Sequence, residues 1–186
     1  MGWWPETAIW RNEVDNPTMQ TYLSVSTFLM DKIGLFVDVQ NIYYTTRHAF
    51  DRQFNYRALW KILAQHGDIT LANAYATDRG DESQQKFQTA LRHIGFNIKL
   101  KPYIQRADGS AKGDWDVGIT IDVLTSAPDL DRVYLLSGDG DFDLLIDTVR
   151  NKYDMPFEVY GVPMLTADSL KRSASAFHPI AEPLLL

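Results

Sequence analysis

The sequence predicts an α/β fold with a mainly parallel central sheet. From about Lys32 onward, short apolar runs alternate with amphipathic segments, which is the pattern of repeated β-α-β units. The chain has 186 residues, of which 45% are hydrophobic, and this is enough for one well-packed domain. We therefore expect residues 1–31 to form an N-terminal arm and residues 32–186 to form the domain itself.

The apolar runs predict five strands, and the segments between them predict helices. The runs lie at 32–38, 69–76, 96–104, 132–137 and 157–162. Apolar residues at helical spacing predict helices over 56–65, 83–94, 114–126, 141–153 and 166–177. Ser83 is the expected N-cap of the second helix, and Gly95 ends it.

Composition excludes several classes of protein. The chain has no cysteine, which excludes a disulfide scaffold, a thiolate nucleophile and a cysteine-type zinc site. No apolar run is long enough to cross a membrane, and the N-terminus lacks the order of a signal peptide. We therefore expect a cytoplasmic protein without a membrane partner. A formal net charge of -6 argues against a polyanionic partner unless the acids are concentrated at one site.

Carboxylates are concentrated where two predicted strands end. Asp139, Asp141 and Asp143 follow the apolar run 133–136, and Asp38 ends the first strand. Carboxylates this close repel each other, and a cation among them would offset the repulsion. Carboxyl ends of parallel strands meet at one edge of a sheet, so we expect these groups to converge there.

Asp116, at the start of a predicted helix, is the remaining candidate ligand. Oxygen ligands without histidine or cysteine suit Mg²⁺ or Mn²⁺. Asp143 could add a ligand or face solvent, and Asn41 could orient a ligand or form an Asx turn. We expect Asp122, six residues past Asp116, to have only a surface role.

Basic and aromatic residues near the expected site predict contact with single-stranded nucleic acid. Basic side chains hold phosphates, and tyrosine rings stack on bases. An alternative is that the lysines of the third strand only cover its solvent face. The set comprises Tyr43, Tyr44, Arg47, Arg52, Lys99, Lys101, Arg106 and Lys112.

Three motifs together resemble the NYN branch of the PIN-like nucleases, and more closely its LabA-like group. They are FVDVQNIYY at 36–44, KGDWDVGITIDVL at 112–124 and VYLLSGDGDFDLLI at 133–146. The resemblance implies a Rossmann-like, three-layer α/β/α sandwich and Mg²⁺- or Mn²⁺-dependent hydrolysis of phosphodiester bonds, usually in RNA. It also implies that the metal and catalytic residues are Asp38, Asp116, Asp139 and Asp141, with Asn41 as their polar companion.

These observations favour a ribonuclease. We expect Lys112, Tyr43, Arg47 and Ser137 on the substrate side, with Ser137 and Asn41 orienting other groups rather than binding the metal. One alternative is an RNA-binding regulatory module that does not cleave. A second is a phosphatase of the haloacid dehalogenase type, which is weakened because Gln40 replaces the second carboxylate of that family's first-strand pair. The N-terminal arm could form a homodimer, pack on the domain or be an extension without function.

Overall fold

The computed structural model describes residues 30–78, 80–102, 104–105, 111–112 and 114–186, with 104–105 and 111–112 described by their backbone alone. The expected N-terminal arm lies almost entirely outside this part of the chain. Its boundary and its role in a homodimer therefore stay predictions. Within the described ranges, no helix is both long and apolar enough to cross a membrane.

The described residues form a six-stranded sheet in which every neighbouring pair is parallel. The strand order is β3-β2-β1-β6-β7-β8, so the first strand of the chain lies inside the sheet. This arrangement confirms the predicted α/β fold. The strands are β1 (Lys32–Asp38), β2 (Asp68–Asp78), β3 (Asn97–Pro102), β6 (Arg132–Leu136), β7 (Phe157–Gly161) and β8 (Ala176–Pro179), while β4 (Ile104–Gln105) and β5 (Ala111–Lys112) form a separate antiparallel pair.

Helices cover both faces of this sheet and make the three-layer sandwich. They are α1 (Val39–Phe50), α2 (Tyr56–Leu63), α3 (Glu82–Ile94), α4 (Asp116–Ser126), α5 (Asp143–Tyr153) and α6 (Asp168–Ser173). Short 3-10 turns at Ala127–Asp129, Gly140–Phe142 and Pro163–Leu165 complete the described elements.

The alternation of side chains along β1 divides the core into two clusters. Ile33, Leu35 and Val37 pack with α1, α2 and α3 on one face. Phe36 packs with α4, α5 and α6 on the other. Successive side chains of a strand point to opposite faces, so Asp38 shares its face with Phe36 and points towards the start of α4.

The structure corrects three of the predicted elements and adds a helix that was not predicted. Helix α1 was not predicted, although it directly follows Asp38. The strand predicted at 96–104 ends at Pro102, and the helix predicted at 166–177 ends at Ser173 and is followed by β8. The N-cap of α3 is Asp81 rather than Ser83, because the Asp81 side chain accepts a hydrogen bond from the backbone N–H of Gln84 at 2.8 Å.

Candidate active site

The candidate site lies where the connections of the sheet diverge. β1 and β6 are parallel neighbours, but β1 leads to β2 on one side and β6 leads to β7 on the other. Such a switch point leaves a crevice outside the carboxyl ends of the two strands, and ligands of open α/β sheets bind there. Asp38 ends β1 at this crevice, and Asp139 follows β6.

Three of the predicted ligands form one cluster at the crevice. Asp116, Asp139 and Asp141 each offer a carboxylate oxygen, and these oxygens lie within 4.8 Å of one another. Asp116 and Asp139 are partly buried, whereas Asp141 is exposed. The ligand oxygens of an octahedral Mg²⁺ ion lie about 3–4 Å apart, so small side-chain rotations would bring this group to that geometry.

Asp38 lies beside this cluster in the most buried position of the four. The pKa of its carboxyl group is raised to about 6, chiefly by burial and also by the charges of Asp116 and Asp139, against a backbone hydrogen bond from Asn41 that lowers it. The Asp38 side chain caps α1 by accepting this bond from the Asn41 N–H at 3.1 Å. Asp38 is therefore fixed by the helix it caps, and a nearby cation would stabilise its charged form.

Asn41 connects the two strands that carry the acids. Its side-chain oxygen accepts a hydrogen bond from the backbone N–H of Gly138 at 2.9 Å. The Gly138 position requires glycine, since a Cβ there would lie 2.5 Å from the carbonyl oxygen of Leu165. Asn41 therefore sets the loop after β6 relative to the end of β1, and the alternative of a simple Asx turn at Asn41 does not describe its side chain.

Local hydrogen bonds shape the loop that carries Asp139. The Ser137 hydroxyl accepts from the Asp139 N–H at 3.2 Å, and the Asp139 carboxylate accepts from the Asp141 N–H at 3.0 Å. The second bond starts the 3-10 turn Gly140–Phe142. Ser137 is fully buried, so its hydroxyl cannot reach a substrate directly. We therefore expect it to act by holding Asp139.

Trp115 places Asp116 at the crevice. Its indole N–H donates to the carbonyl oxygen of Ala76 at 2.9 Å, and its ring packs 5.2 Å from that of Tyr75, centroid to centroid. Both partners belong to β2. Trp115 thus anchors the start of α4 to the sheet, and Asp116 is the first residue of that helix.

Lys101 supplies positive charge near these acids. The pKa of Asp116 is raised by burial and by the charges of Asp139, Asp114 and Asp141, while Lys101 lowers it. The Lys101 ammonium lies 4.2 Å from the centre of the Trp115 ring and donates to the carbonyl oxygen of Asp114 at 2.9 Å. Lys101 therefore faces the acidic site rather than only solvent.

Comparisons with known proteins agree with this arrangement. The sequence model of the NYN domain matches residues 32–181. The chain belongs to the NYN domain family. The low amplitude and bright protein LabA of Synechococcus elongatus is 27% identical over 133 residues, which are 67% of this chain and 71% of LabA. The predicted resemblance to the LabA-like group of NYN domains is therefore confirmed.

A solved structure supports the fold of this NYN domain. It is a crystal structure of a protein of unknown function from Vibrio parahaemolyticus, 48% identical, with a TM-score of 0.82 over 87% of this chain and 100% of that chain. NYN domains belong to the PIN-like superfamily, whose members are generally nucleases that use divalent metals. The donor set of three clustered carboxylates fits such a metal.

The other predicted site residues lie at different distances from the carboxylates of the NYN domain. Tyr43 is exposed on the second turn of α1, close to Asp38 in sequence. Arg47 lies about one turn further, about 12 Å along the helix from Val39, and pairs with Asp51 at 3.6 Å. Lys112 lies in β5 and its side chain is outside the described part of the chain, as is all of Arg106. Their contact with nucleic acid stays a prediction.

The expected surface role of Asp122 is wrong. Its carboxylate accepts a hydrogen bond from the Tyr75 hydroxyl at 2.6 Å and pairs with the ammonium of Lys99. These contacts join α4 to β2 and β3, and the contact of Lys99 with nucleic acid stays a prediction. Burial and the hydrogen bond to Asp122 both raise the pKa of Tyr75. Asp143, the first residue of α5, lies outside the cluster of three carboxylates.

Sequence reasoning missed the positioning roles of Trp115 and Gly138. Trp115 stands between Asp114 and the predicted ligand Asp116, and an aromatic residue between two acids was the available signal. Gly138 precedes Asp139, and its need for glycine comes from the chain at Leu165, which no local pattern indicates.

Proposed function

We propose that this NYN domain is a metal-dependent nuclease that hydrolyses phosphodiester bonds in RNA. The observation that carries the proposal is the cluster of Asp116, Asp139 and Asp141 at the crevice between β1 and β6, with buried Asp38 beside it. Membership of a superfamily of nucleases agrees with it. A divalent cation held by these carboxylates would activate water for attack on phosphorus and neutralise charge on the phosphate.

The residues of the chain divide the remaining work between ligand orientation and substrate contact. The Asp38 carboxylate accepts a hydrogen bond from the backbone N–H of Asn41, and the backbone N–H of Asp139 donates one to the Ser137 hydroxyl. Fixed ligands bind metal more tightly, because less freedom is lost on binding. Lys101, whose charge acts on Asp116, is placed to contact the substrate phosphate. The exposed ring of Tyr43 can stack on a base.

The test compares cleavage of end-labelled single-stranded RNA and DNA by the wild type and by Asp139→Asn, with Mn²⁺, with Mg²⁺ and with chelator. Asp147→Asn is the matched control, since Asp147 is exposed on α5 and lies outside the cluster. We expect metal-dependent cutting that Asp139→Asn lowers at least about a hundredfold and Asp147→Asn leaves intact.

The ends of the products test the chemistry. Attack by water leaves a 5′-phosphate, whereas a 2′,3′-cyclic phosphate requires the 2′-hydroxyl as nucleophile and would contradict the proposed mechanism. RNA binding without cutting under any of these conditions would instead establish a non-catalytic binding module. Rapid hydrolysis of a small phosphate monoester, blocked by Asp38→Asn, would establish a phosphatase.

A further inference from the structure

A cavity of about 320 Å³ opens beside the carboxylates, between α1, α2, α3 and the end of β2. This volume is typical of binding sites for small molecules or molecular fragments. Gln40, two residues after Asp38, and Thr77, at the end of β2, are among its lining residues. Asp38 pairs with Tyr75 across β1 and β2, so the cavity and the carboxylates share one edge of the sheet.

The cavity contains a buried amide that no other described residue uses as a hydrogen-bond partner. Gln88 of α3 is only 6% exposed and lines the cavity. The structure gives its side chain no hydrogen-bond partner among the described residues. Among the described residues, every side-chain nitrogen or oxygen that is completely buried has a hydrogen-bond partner. The Gln88 amide has no such partner, so its atoms are not completely buried and open onto the cavity. A buried amide without a protein partner is costly, and an apolar residue would pack better unless a ligand uses the amide.

The lining favours a nucleobase rather than a phosphate. None of the described lining residues is lysine or arginine, and Asp81, at the mouth, would repel an anion. Gln40 is held in place, since its amide nitrogen donates to the Thr77 hydroxyl at 3.1 Å. Amides both donate and accept hydrogen bonds, as the edges of bases do. The Tyr43 ring, 49% exposed, lies at the rim, where it can stack on a base.

The cavity is close enough to the acidic site for one nucleotide to occupy both. Val39 lines the cavity and directly follows Asp38 in the chain, so their Cα atoms lie about 3.8 Å apart. Asp38 in turn lies among the carboxylates of the candidate site. A phosphate at the carboxylates therefore places the neighbouring base at the mouth of the cavity.

We propose that this cavity is a nucleobase subsite and that the Gln88 amide binds the hydrogen-bonding edge of a base next to the scissile phosphate. The identity of the ligand rests on the proposed function, because RNA is the source of the base. The subsite gives the nuclease a base preference at one position beside the cleaved bond. Binding of a base needs no metal chemistry, so the two proposals can be tested separately.

The test measures the affinity of the full chain for oligo(U) and for three oligo(U) variants in which every second base is A, C or G. Ca²⁺ replaces the reactive metals, since it neutralises oxygen ligands, and gels check that the RNA stays intact. We expect the wild type to prefer one of the four RNAs about tenfold, and Gln88→Leu to lose that preference. Gln85→Leu is the matched control, because Gln85 lies on the exposed side of the same helix.

A second variant and a stability measurement complete the test. Tyr43→Ala should weaken binding of all four RNAs about tenfold without changing their order. Gln88→Leu should unfold at a temperature no lower than the wild type, since the described residues give that amide no hydrogen-bond partner. Equal wild-type affinities, no RNA binding, an unchanged preference in Gln88→Leu, or failure of that variant to fold would each overturn the proposed subsite. Absence of cutting after Mn²⁺ is added would overturn only the proposed nuclease activity.

Discussion

Replacing Asp38 with asparagine should stabilise the metal-free protein at neutral pH. The pKa of Asp38 rises from 3.8 to about 6 on folding, chiefly through burial. The folded state therefore binds more protons than the unfolded state between about pH 4 and pH 6, and the free energy of unfolding falls as the pH rises through this window. Above it, the wild type carries the full penalty of a buried, ionised carboxylate.

The magnitude follows from the shift of the pKa. Each pKa unit corresponds to about 1.4 kcal/mol, so a shift of about two units lowers the free energy of unfolding by up to about 3 kcal/mol. Asparagine removes this penalty and can still accept the Asn41 N–H bond that caps α1. We expect a gain of about 1–3 kcal/mol at pH 7.5, or about 3–10 °C in melting temperature.

The assay is urea unfolding of both proteins in chelator from pH 4.5 to pH 8. Only the difference between wild type and variant is interpreted, since other groups titrate over the same range. The difference should grow with pH up to about pH 6.5 and then level off. The claim that the ionised Asp38 carboxylate destabilises the folded, metal-free protein would be refuted by a variant less stable than the wild type at pH 7.5. A difference in stability that does not depend on pH would refute it as well. Added Mg²⁺ should stabilise the wild type more than the variant.

Three further substitutions test the positioning of the site. Asn41→Ala removes the acceptor of the Gly138 N–H and should lower the cleavage rate about 10–100-fold, and the variant should need more Mn²⁺ for its half-maximal rate. If the rate of the variant depended on Mn²⁺ concentration as that of the wild type does, a positioning role for Asn41 would be excluded. Gly138→Ala should lower the free energy of unfolding by about 1–3 kcal/mol in urea, because its Cβ would lie 2.5 Å from a backbone carbonyl oxygen, and unchanged stability would show that this loop yields easily. Tyr75→Phe removes the donor to Asp122 and should cost about 1–2 kcal/mol while leaving cleavage unchanged; lost cleavage would place Asp122 in the active site.

The sequence predicts most of the sheet because parallel strands that are buried on both faces consist almost entirely of apolar residues. β1, β6 and β7 are such strands, and the acids that end β1 and follow β6 are easily found. The convergence of Asp38 with Asp139 followed from the geometry of a parallel sheet. The assignment of these acids as metal ligands stays a prediction.

The missed elements have no strong local pattern. The buried face of α1 is narrow and consists of Val39, Ile42 and Thr46. The hydroxyls of Thr45 and Thr46 donate hydrogen bonds to backbone carbonyl oxygens one turn earlier in the helix. Strand β8 is short and ends at Pro179, so its pairing with β7 decides its conformation. The partners of Asp122 are Tyr75 on β2 and Lys99 on β3, and no spacing in the sequence indicates these contacts.

The hydrogen bond from Gly138 to Asn41 joins residues that are 97 positions apart. A chain still being synthesised cannot form it until β6 has emerged and docked against β1. The carboxylate cluster, which needs Asp116, Asp139 and Asp141 together, is therefore absent until most of the domain has folded. Any activity that depends on the cluster therefore begins only after Asp141 has been synthesised and β6 has docked against β1.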